Sequence, residues 1–466
     1  MKIKPIISSI TLTVLCCIGL LIQPAQAQDT LQISLGEFIE SGLQNSGQVD
    51  FERQKVNLAE NRIDQARSQR FLPTFQLNTQ HGAVPGVESS TDLPEDSYYL
   101  DPNLENDWSN WAIFTRAEVQ AVQPIFAWGA LGNAVEAAKA GAKAAEYEFQ
   151  SQKAGLEIRL YELYYSHVLA EEVNRLVDEA QGQIDRIEKQ IDEKVDQEDS
   201  DIDQSDVFKF RVFKSEFAMR AAEMRENIKY IRSVWNYVLQ ADASTYYEPE
   251  QQFLDPVANK IEALTYYKSQ ALEQRAELKG IEAGIDAAEH GIQATKAQNL
   301  PTLFLGITGS YANTPNRPRQ DNPFIINNSN YASAGVGFGI RQNLDFLSAK
   351  ADVERRRIQH RQAKFLRSAA VDGIMLEISE RYKNASVSEV KVEKTDEALV
   401  TSKKWLRQEQ LDYDFGIGDT KDLIEAMQKE LELRLQLKQR TFEFNKDMAE
   451  LYRAAGLPLT ALETAN

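Results

Sequence analysis

Few residues in this 466-residue sequence could do chemistry, and none of them forms a catalytic set. Both cysteines, Cys16 and Cys17, lie in an N-terminal apolar run, so the rest of the chain has no thiol. No phosphate-binding glycine loop and no nucleophile elbow is present. The histidines are far apart and lack the spacing of metal ligands: His81, His167, His290 and His360. The sequence therefore argues against an enzyme and predicts no cofactor and no metal site.

The remaining candidates are two carboxylates, Asp422 and Glu425, which follow a turn that contains Gly416 and Gly418. Because they are three residues apart on a predicted helix, they share one face of it. With Thr420 as the expected N-cap, both would also lie where the helix dipole favours negative charge. Spacing alone therefore leaves two interpretations open, a functional acidic face and ordinary stabilisation of a helix start.

The elements that position these residues are unusually long helices. Residues 125–248 and 324–457 contain no proline and are rich in good helix formers. The pattern predicts helices over 130–194 and 348–412, each about 98 Å long at 1.5 Å per residue. Each is followed by a break and a second helix, which gives two helical hairpins: residues 130–239 and 348–455. The first break is the acidic run 195–206, and the second is the glycine-containing turn.

The two halves of the chain repeat one order of elements. Leu35 and Leu43 have the spacing of Leu264 and Leu272, and each pair opens a predicted helix that ends at a Leu-Pro. Such self-similarity indicates duplication. The predicted divisions are a first repeat over 28–240, a linker over 241–259, a second repeat over 260–457 and a tail over 458–466.

A predicted strand hairpin follows each Leu-Pro, over residues 74–123 and 302–344. Apolar and polar residues alternate with period two, so one face of each strand is apolar. That face meets either lipid or the core of a soluble β-sandwich. The strand lengths and the aromatic residues at the strand ends favour lipid. Four strands are too few to close a membrane barrel, so the chain is expected to oligomerise.

Residues 1–27 have the pattern of a secretory signal peptide: Lys2 and Lys4, an apolar run, and Ala25-Gln26-Ala27. After them no run of 18 apolar residues occurs, so a membrane could be crossed only by a closed barrel. The formal net charge of −18 disfavours nucleic acid as a partner.

This pattern resembles the TolC-type outer-membrane efflux family over essentially the whole mature chain. The most specific stretch runs from Tyr413 to Ala426 and is similar to the family's turn at the periplasmic tip of the second hairpin. The resemblance implies a mainly α fold with a membrane β-barrel. It implies a homotrimer in which four strands per protomer form one 12-stranded β-barrel in outer-membrane lipid, and the helices form an α-barrel tunnel across the periplasm. It also implies a periplasmic adaptor and an inner-membrane transporter as partners.

By the same resemblance, the pore gate lies at the periplasmic tip and includes Asp422, Glu425, Tyr413 and Asp206. A threefold axis would repeat the first two as an acidic ring, which selects cations in channels. Gly418 stands where a basic locking residue is expected, which argues against a salt-bridge lock. The adaptor-docking turns are expected at these residues: Gly416, Ile417, Gly418, Asp201 and Ser205.

The function predicted is that of the outer-membrane channel subunit of a tripartite efflux or type I secretion system of a Gram-negative bacterium. The alternative is a periplasmic adaptor, which also has a signal peptide and a long helical hairpin. An adaptor would carry one hairpin between soluble β domains, whereas this sequence repeats its pattern. The sequence does not identify the cargo.

Overall fold

The computed structural model describes these residues: 30–89, 103–196, 204–242, 245–317, 327–415 and 417–462. The signal peptide, Asp201 and Gly416 lie outside them. Both breaks within the long helical hairpins are thus described only in part, and the features given below are those of the described residues.

Up to residue 298, the described residues form six helices, two long strands and two short strands. Two strands, two long helices and a 3-10 turn follow. In order, the first elements are β1 (Thr30–Ile33), α1 (Leu35–Gln44), α2 (Gly47–Phe71), β2 (Thr74–Ser89), β3 (Leu104–Phe126), α3 (Ala130–Asp196), α4 (Gln204–Leu239) and β4 (Tyr246–Pro249). They are followed by α5 (Leu264–Gln274), α6 (Ala276–Gln298), β5 (Thr302–Asn313), β6 (Tyr331–Arg341), α7 (Phe346–Asp414), α8 (Thr420–Ala455) and a 3-10 turn (Leu459–Ala461).

The long helices match the sequence-based expectation within a few residues, because α3 has 67 residues and α7 has 69. The strands of the first hairpin are longer than expected, since β2 has 16 residues and β3 has 23. Before Thr115, β3 pairs only with β2, so in this part the two strands form a two-stranded ribbon. The alternation of apolar and polar residues fades there, which is why the sequence pattern ended too early.

Helix ends follow ordinary capping chemistry. Ser34 and Glu37 form a capping box at the start of α1. Gly456 closes α8 with a left-handed φ of 74°, and its N–H donates to the Arg453 carbonyl. The N-cap of α8 is Asp419, whose carboxylate accepts from the Lys421 N–H at 3.1 Å. The expectation of Thr420 as N-cap was wrong by one residue, because Thr420 already belongs to the helix and is buried.

The chain divides into two compact units. One unit comprises residues 51–151 and 275–373 and contains the sheet β2-β3-β5-β6, which is antiparallel throughout. The outer edges of β2 and β6 have no strand partner in the described part of the chain.

The other unit comprises the described parts of residues 1–50, 152–274 and 374–466. There β1 and β4 form a two-stranded parallel sheet. Two apolar clusters hold this unit together. One is aromatic, with Phe38, Tyr164 and Trp235 at its centre. The other joins α3, α4 and α8 through such residues as Ile184, Phe210 and Met427.

Candidate functional site

The turn between α7 and α8 is closed by one carbonyl. The Asp412 oxygen accepts from the N–H groups of Ile417 at 3.0 Å and Gly418 at 2.9 Å. A Cβ on Gly418 would lie 2.7 Å from the Tyr413 nitrogen and 2.8 Å from the Asp412 carbonyl carbon. Both are backbone atoms that cannot rotate away, so this close approach requires glycine. This close approach explains why position 418 is a glycine and not the basic locking residue that the family resemblance led us to expect.

Side chains at this turn differ strongly in exposure. Tyr413 is 3% exposed, whereas Phe415 is 77% and Ile417 is 79% exposed. Two large apolar side chains in water at a helix end are unfavourable unless another surface covers them. The predicted docking residue Ile417 is thus accessible, and Tyr413 lies inside the protein.

Asp422 and Glu425 are both exposed in the first turns of α8. Between and after them Leu423, Ile424 and Ala426 are buried. The helix therefore turns its apolar side inward and presents both carboxylates outward. Their shared exposed face is as the sequence predicts, and their role in a gate stays a prediction.

Asp206 and Ser205 begin α4. The Asp206 carboxylate is buried, and its Oδ1 accepts from the Lys209 ammonium at 2.8 Å. Ser205 is exposed and lines a surface cavity of about 530 Å³ with Phe208, Lys209 and Val212. The structure thus holds Asp206 against its own helix, and its role in a gate stays a prediction.

One apolar cluster brings the beginnings of α4 and α8 into the same core. Val207 and Phe210 of α4 and Ile424 and Met427 of α8 belong to it, together with a row of α3 residues that ends at Ile191. The two helix starts that carry the candidate gate residues are therefore fixed in one packed unit rather than on independent hairpins.

The second functional surface is one face of the sheet. The register aligns Phe75, Ala121, Ile307 and Val336 in one row across all four strands. The next rows along this face contain further exposed apolar side chains: Leu77, Val119, Phe338 and Ile340. Phe75, Val336, Phe338 and Ile340 are 73–76% exposed. A face this apolar is not stable in water.

The opposite face of the sheet is polar. It carries amides and hydroxyls in matching rows, for example Gln76 beside Gln120, and Ser310 bonded to Ser333 at 2.8 Å. The Phe304 ring covers Gly339, where a Cβ would lie 2.5 Å from the ring. Gly335 and Gly337 lie on the same face, as their alternation in the sequence indicates.

Comparison with known proteins agrees with this arrangement. Residues 268–457 match the family model described as outer membrane efflux protein. The fold matches Vibrio cholerae VceC with a TM-score of 0.69 and 16% identity, over 91% of this chain and 96% of that chain. It matches the open state of Neisseria gonorrhoeae MtrE with a TM-score of 0.70 and 14% identity, over 91% and 89%. It matches CusC with a TM-score of 0.71 and 13% identity, over 92% and 94%.

The resemblance to outer membrane efflux proteins is confirmed. No curated protein sequence matches the chain. The efflux family consists of channels rather than enzymes, and the family match disfavours the adaptor alternative. Within the described residues, no helix has the length and hydropathy of a membrane span. The same residues contain no group of three or more acidic or imidazole side chains that could bind a metal ion.

The sequence pattern did not predict one feature of this fold, the packing of the linker over residues 241–259. Its Leu254 is 1% exposed, and the Leu254 N–H donates to Glu172 at 2.7 Å. Asn445 accepts from the Val257 N–H at 2.9 Å and donates to the Asp255 carbonyl at 2.8 Å. The linker is thus a strap held on α3 and α8. Hydrophobic spacing gave no signal, because polar side chains on distant helices hold it.

A second missed feature is a buried polar chain beside Trp235. His167 is fully buried, and its ring contacts the Trp235 indole edge-on, with 4.4 Å between the two ring centroids. Its Nε2 lies 3.4 Å from Glu171, which also accepts from Arg232 at 2.7 Å. These contacts with His167 and Arg232 lower the pKa of Glu171 against the effect of burial. The cluster joins α3 to α4, and we find no ligand-binding geometry in it.

Proposed function

We propose that this chain is the channel subunit of a tripartite efflux or type I secretion system, and that it conducts solutes from the periplasm across the outer membrane. The observation that carries the proposal is the four-stranded sheet with one apolar face, one polar face and two unpaired edges. Its family resemblance supports the same function.

The unpaired edges support assembly around an axis. In lipid each unpaired backbone N–H or C=O costs several kcal/mol, so an open sheet does not persist there. β6 alone presents the edge of an 11-residue strand. Three copies would join β6 of one chain to β2 of the next and close a 12-stranded barrel. The apolar face would then meet lipid, and the amide- and hydroxyl-rich face would line a wet lumen.

The α7–α8 turn is the proposed gate. Around a threefold axis, Asp422 and Glu425 would form a ring of six carboxylates that favours cations. Tyr413 and Asp206 would fix the helix ends that carry the ring. We propose that Phe415 and Ile417, exposed in the single chain, are covered when a periplasmic adaptor docks, with an inner-membrane transporter below it.

Membrane fractionation with electrophoresis of unheated samples tests the assembly. We expect the protein in the outer membrane as an oligomer that heating converts to a monomer. A soluble monomer in the periplasm would instead support the adaptor alternative.

Planar-bilayer recordings test the gate. The double variant Asp422→Asn/Glu425→Gln should lower the cation-to-anion permeability ratio and weaken block by divalent cations, because six charges leave the throat. The matched control is Glu432→Gln, an exposed carboxylate further along α8 that pairs with Lys429. Unchanged selectivity and block in the double variant would remove both carboxylates from the gate.

A further inference from the structure

Exposed cations surround the end of the sheet from which the helices extend. Arg70 lies one residue before the end of α2, Lys296 two residues before the end of α6, and Lys350 four residues after the start of α7. All three are exposed. They come from three of the four junctions between the sheet and its helices, although the chain has a net charge of −18.

None of these three cations is held in an ion pair with a described residue, although the pKa of Glu136 is lowered by its hydrogen bond with Lys139 and, to a smaller extent, by the charge of Arg70. Arg70 lies over the Phe71 ring at 4.9 Å, and none of the three forms an ion pair with a carboxylate among the described residues. Further along α7, by contrast, Arg357 and Arg361 both bond to Glu354, at 3.4 and 2.8 Å. The side chains of the cations at the junctions therefore remain accessible to an external partner.

The cations lie on helices that begin or end at the same end of the sheet as the last row of its apolar face. Leu303 and Ile340 form its last paired row before the helices, and Phe126 and Trp128 follow at the β3–α3 junction with their rings 5.0 Å apart. At 1.5 Å per helical residue, the three cations lie within about 6 Å of a helix end at the sheet. This is less than the Debye length of about 8 Å at physiological ionic strength.

At the opposite end of the sheet two carboxylates are adjacent. There Glu88 and Glu105 lie directly across from each other on β2 and β3. A repeated pair of like charges repels anions at that end.

We propose that Arg70, Lys296 and Lys350 form a collar that binds the headgroups of anionic phospholipids in the periplasmic leaflet. The inference rests on the proposed function, which puts the sheet in the outer membrane. The apolar face contacts the acyl chains, and the collar contacts the phosphates next to them. Basic residues beside a membrane-spanning segment attract anionic lipid in this way, each with about 1 kcal/mol near the surface, or about fivefold in affinity.

Native mass spectrometry of the purified full-length protein tests the collar. The protein is equilibrated in micelles with equal amounts of phosphatidylglycerol and zwitterionic phosphatidylethanolamine, and the bound lipids are counted. The unmodified protein should prefer phosphatidylglycerol, and sodium chloride should reduce that preference. The triple variant Arg70→Gln/Lys296→Gln/Lys350→Gln should lower the preference at least tenfold.

The chain offers a matched control, Arg62→Gln/Arg356→Gln/Lys364→Gln. These cations are also exposed on α2 and α7 and form no ion pair with a carboxylate among the described residues. They lie about 14 Å or more from the helix ends at the sheet. We expect this control to change the preference less than twofold.

Three outcomes would overturn the collar: equal effects of the two triples, a preference that salt does not alter, or loss of the oligomer in both lipids on changing the junction residues. The last result would assign the cations to contacts between protein copies. Recovery in the outer membrane without any lipid preference would defeat the collar alone, whereas absence from that membrane would defeat the proposed function.

Discussion

Replacing Gly418 by alanine should loosen the turn that carries the candidate gate. The added methyl carbon would lie 2.7 Å from the Tyr413 nitrogen, 2.8 Å from the Asp412 carbonyl carbon and 3.0 Å from the Asp412 Cβ. The first two atoms belong to the backbone of the last turn of α7. The clash can therefore be relieved only if the chain separates from that helix end.

The magnitude follows from two contributions. Inserting a methyl group into a packed site costs about 1–3 kcal/mol. Separation also weakens the hydrogen bonds from Ile417 and Gly418 to the Asp412 carbonyl, at about 1 kcal/mol each. When the chain separates from the helix end, the hydrogen bonds weaken but the clash is relieved, so the two costs do not add in full. We expect the turn to lose about 2–4 kcal/mol of stability.

Hydrogen–deuterium exchange on the assembled protein measures this loss locally. In Gly418→Ala, amides near the turn should exchange faster by a factor of about 30 to 1,000, which corresponds to that energy range. The control is Gly373→Ala on α7, where a Cβ would meet nothing within 4 Å. This control should leave exchange unchanged or slow it, since alanine favours helix by up to about 1 kcal/mol.

If amides near the turn exchange in Gly418→Ala as slowly as in the unmodified protein, the reasoning is refuted. That result would mean that the helix end accommodates the methyl group. Faster exchange in both variants would also refute it, since the effect would not depend on the close approach. In planar bilayers Gly418→Ala should raise the open probability without altering ion selectivity, unlike the carboxylate variants.

Three other predictions follow from single contacts. Burial opposes ionisation of Glu277, but hydrogen bonds and charge from Arg275 outweigh it and lower its pKa to about 2 from 4.5. Its stabilisation is therefore complete above pH 4.5 and lost as the pH falls towards 2. It amounts to less than about 3 kcal/mol because 35% of the side chain is exposed, and thermal melts of Glu277→Gln should lack this acid-dependent part. Asn445→Ala should lower the free energy of unfolding by about 2–4 kcal/mol, since it leaves a buried N–H and a partly buried C=O of the strap without their partner; an unchanged melting temperature would contradict this. Phe338→Arg should reduce folding into lipid vesicles by about 2–4 kcal/mol, whereas Thr308→Arg on the polar face should not, and equal effects would contradict the assignment of the faces.

Local patterns were sufficient for most of the fold. Proline-free runs of helix formers gave α3 and α7 to within two residues of their ends, because helix formation depends on contacts three and four residues apart. Period-two alternation gave the four strands and their apolar face. The turn that contains Gly418 was visible from its residues, although the reason for that glycine, the approach to Tyr413 and Asp412, was not.

The misses have one physical origin. The strap around Leu254 and Asn445 and the two-stranded ribbon formed by β2 with β3 before Thr115 depend on groups far apart in sequence. A polar residue has no periodic signal that distinguishes a buried partner from a solvated side chain.

By itself the sequence determined the helix lengths, the alternating strands, the exported character and the family resemblance, since these follow from spacing along the chain. The tertiary structure alone decided which carboxylates are exposed, that the linker is a packed strap, and that unpaired cations gather at one end of the sheet. Those features depend on which distant segments meet, and pairing across β2, β3, β5 and β6 brings residues together that lie up to about 200 positions apart.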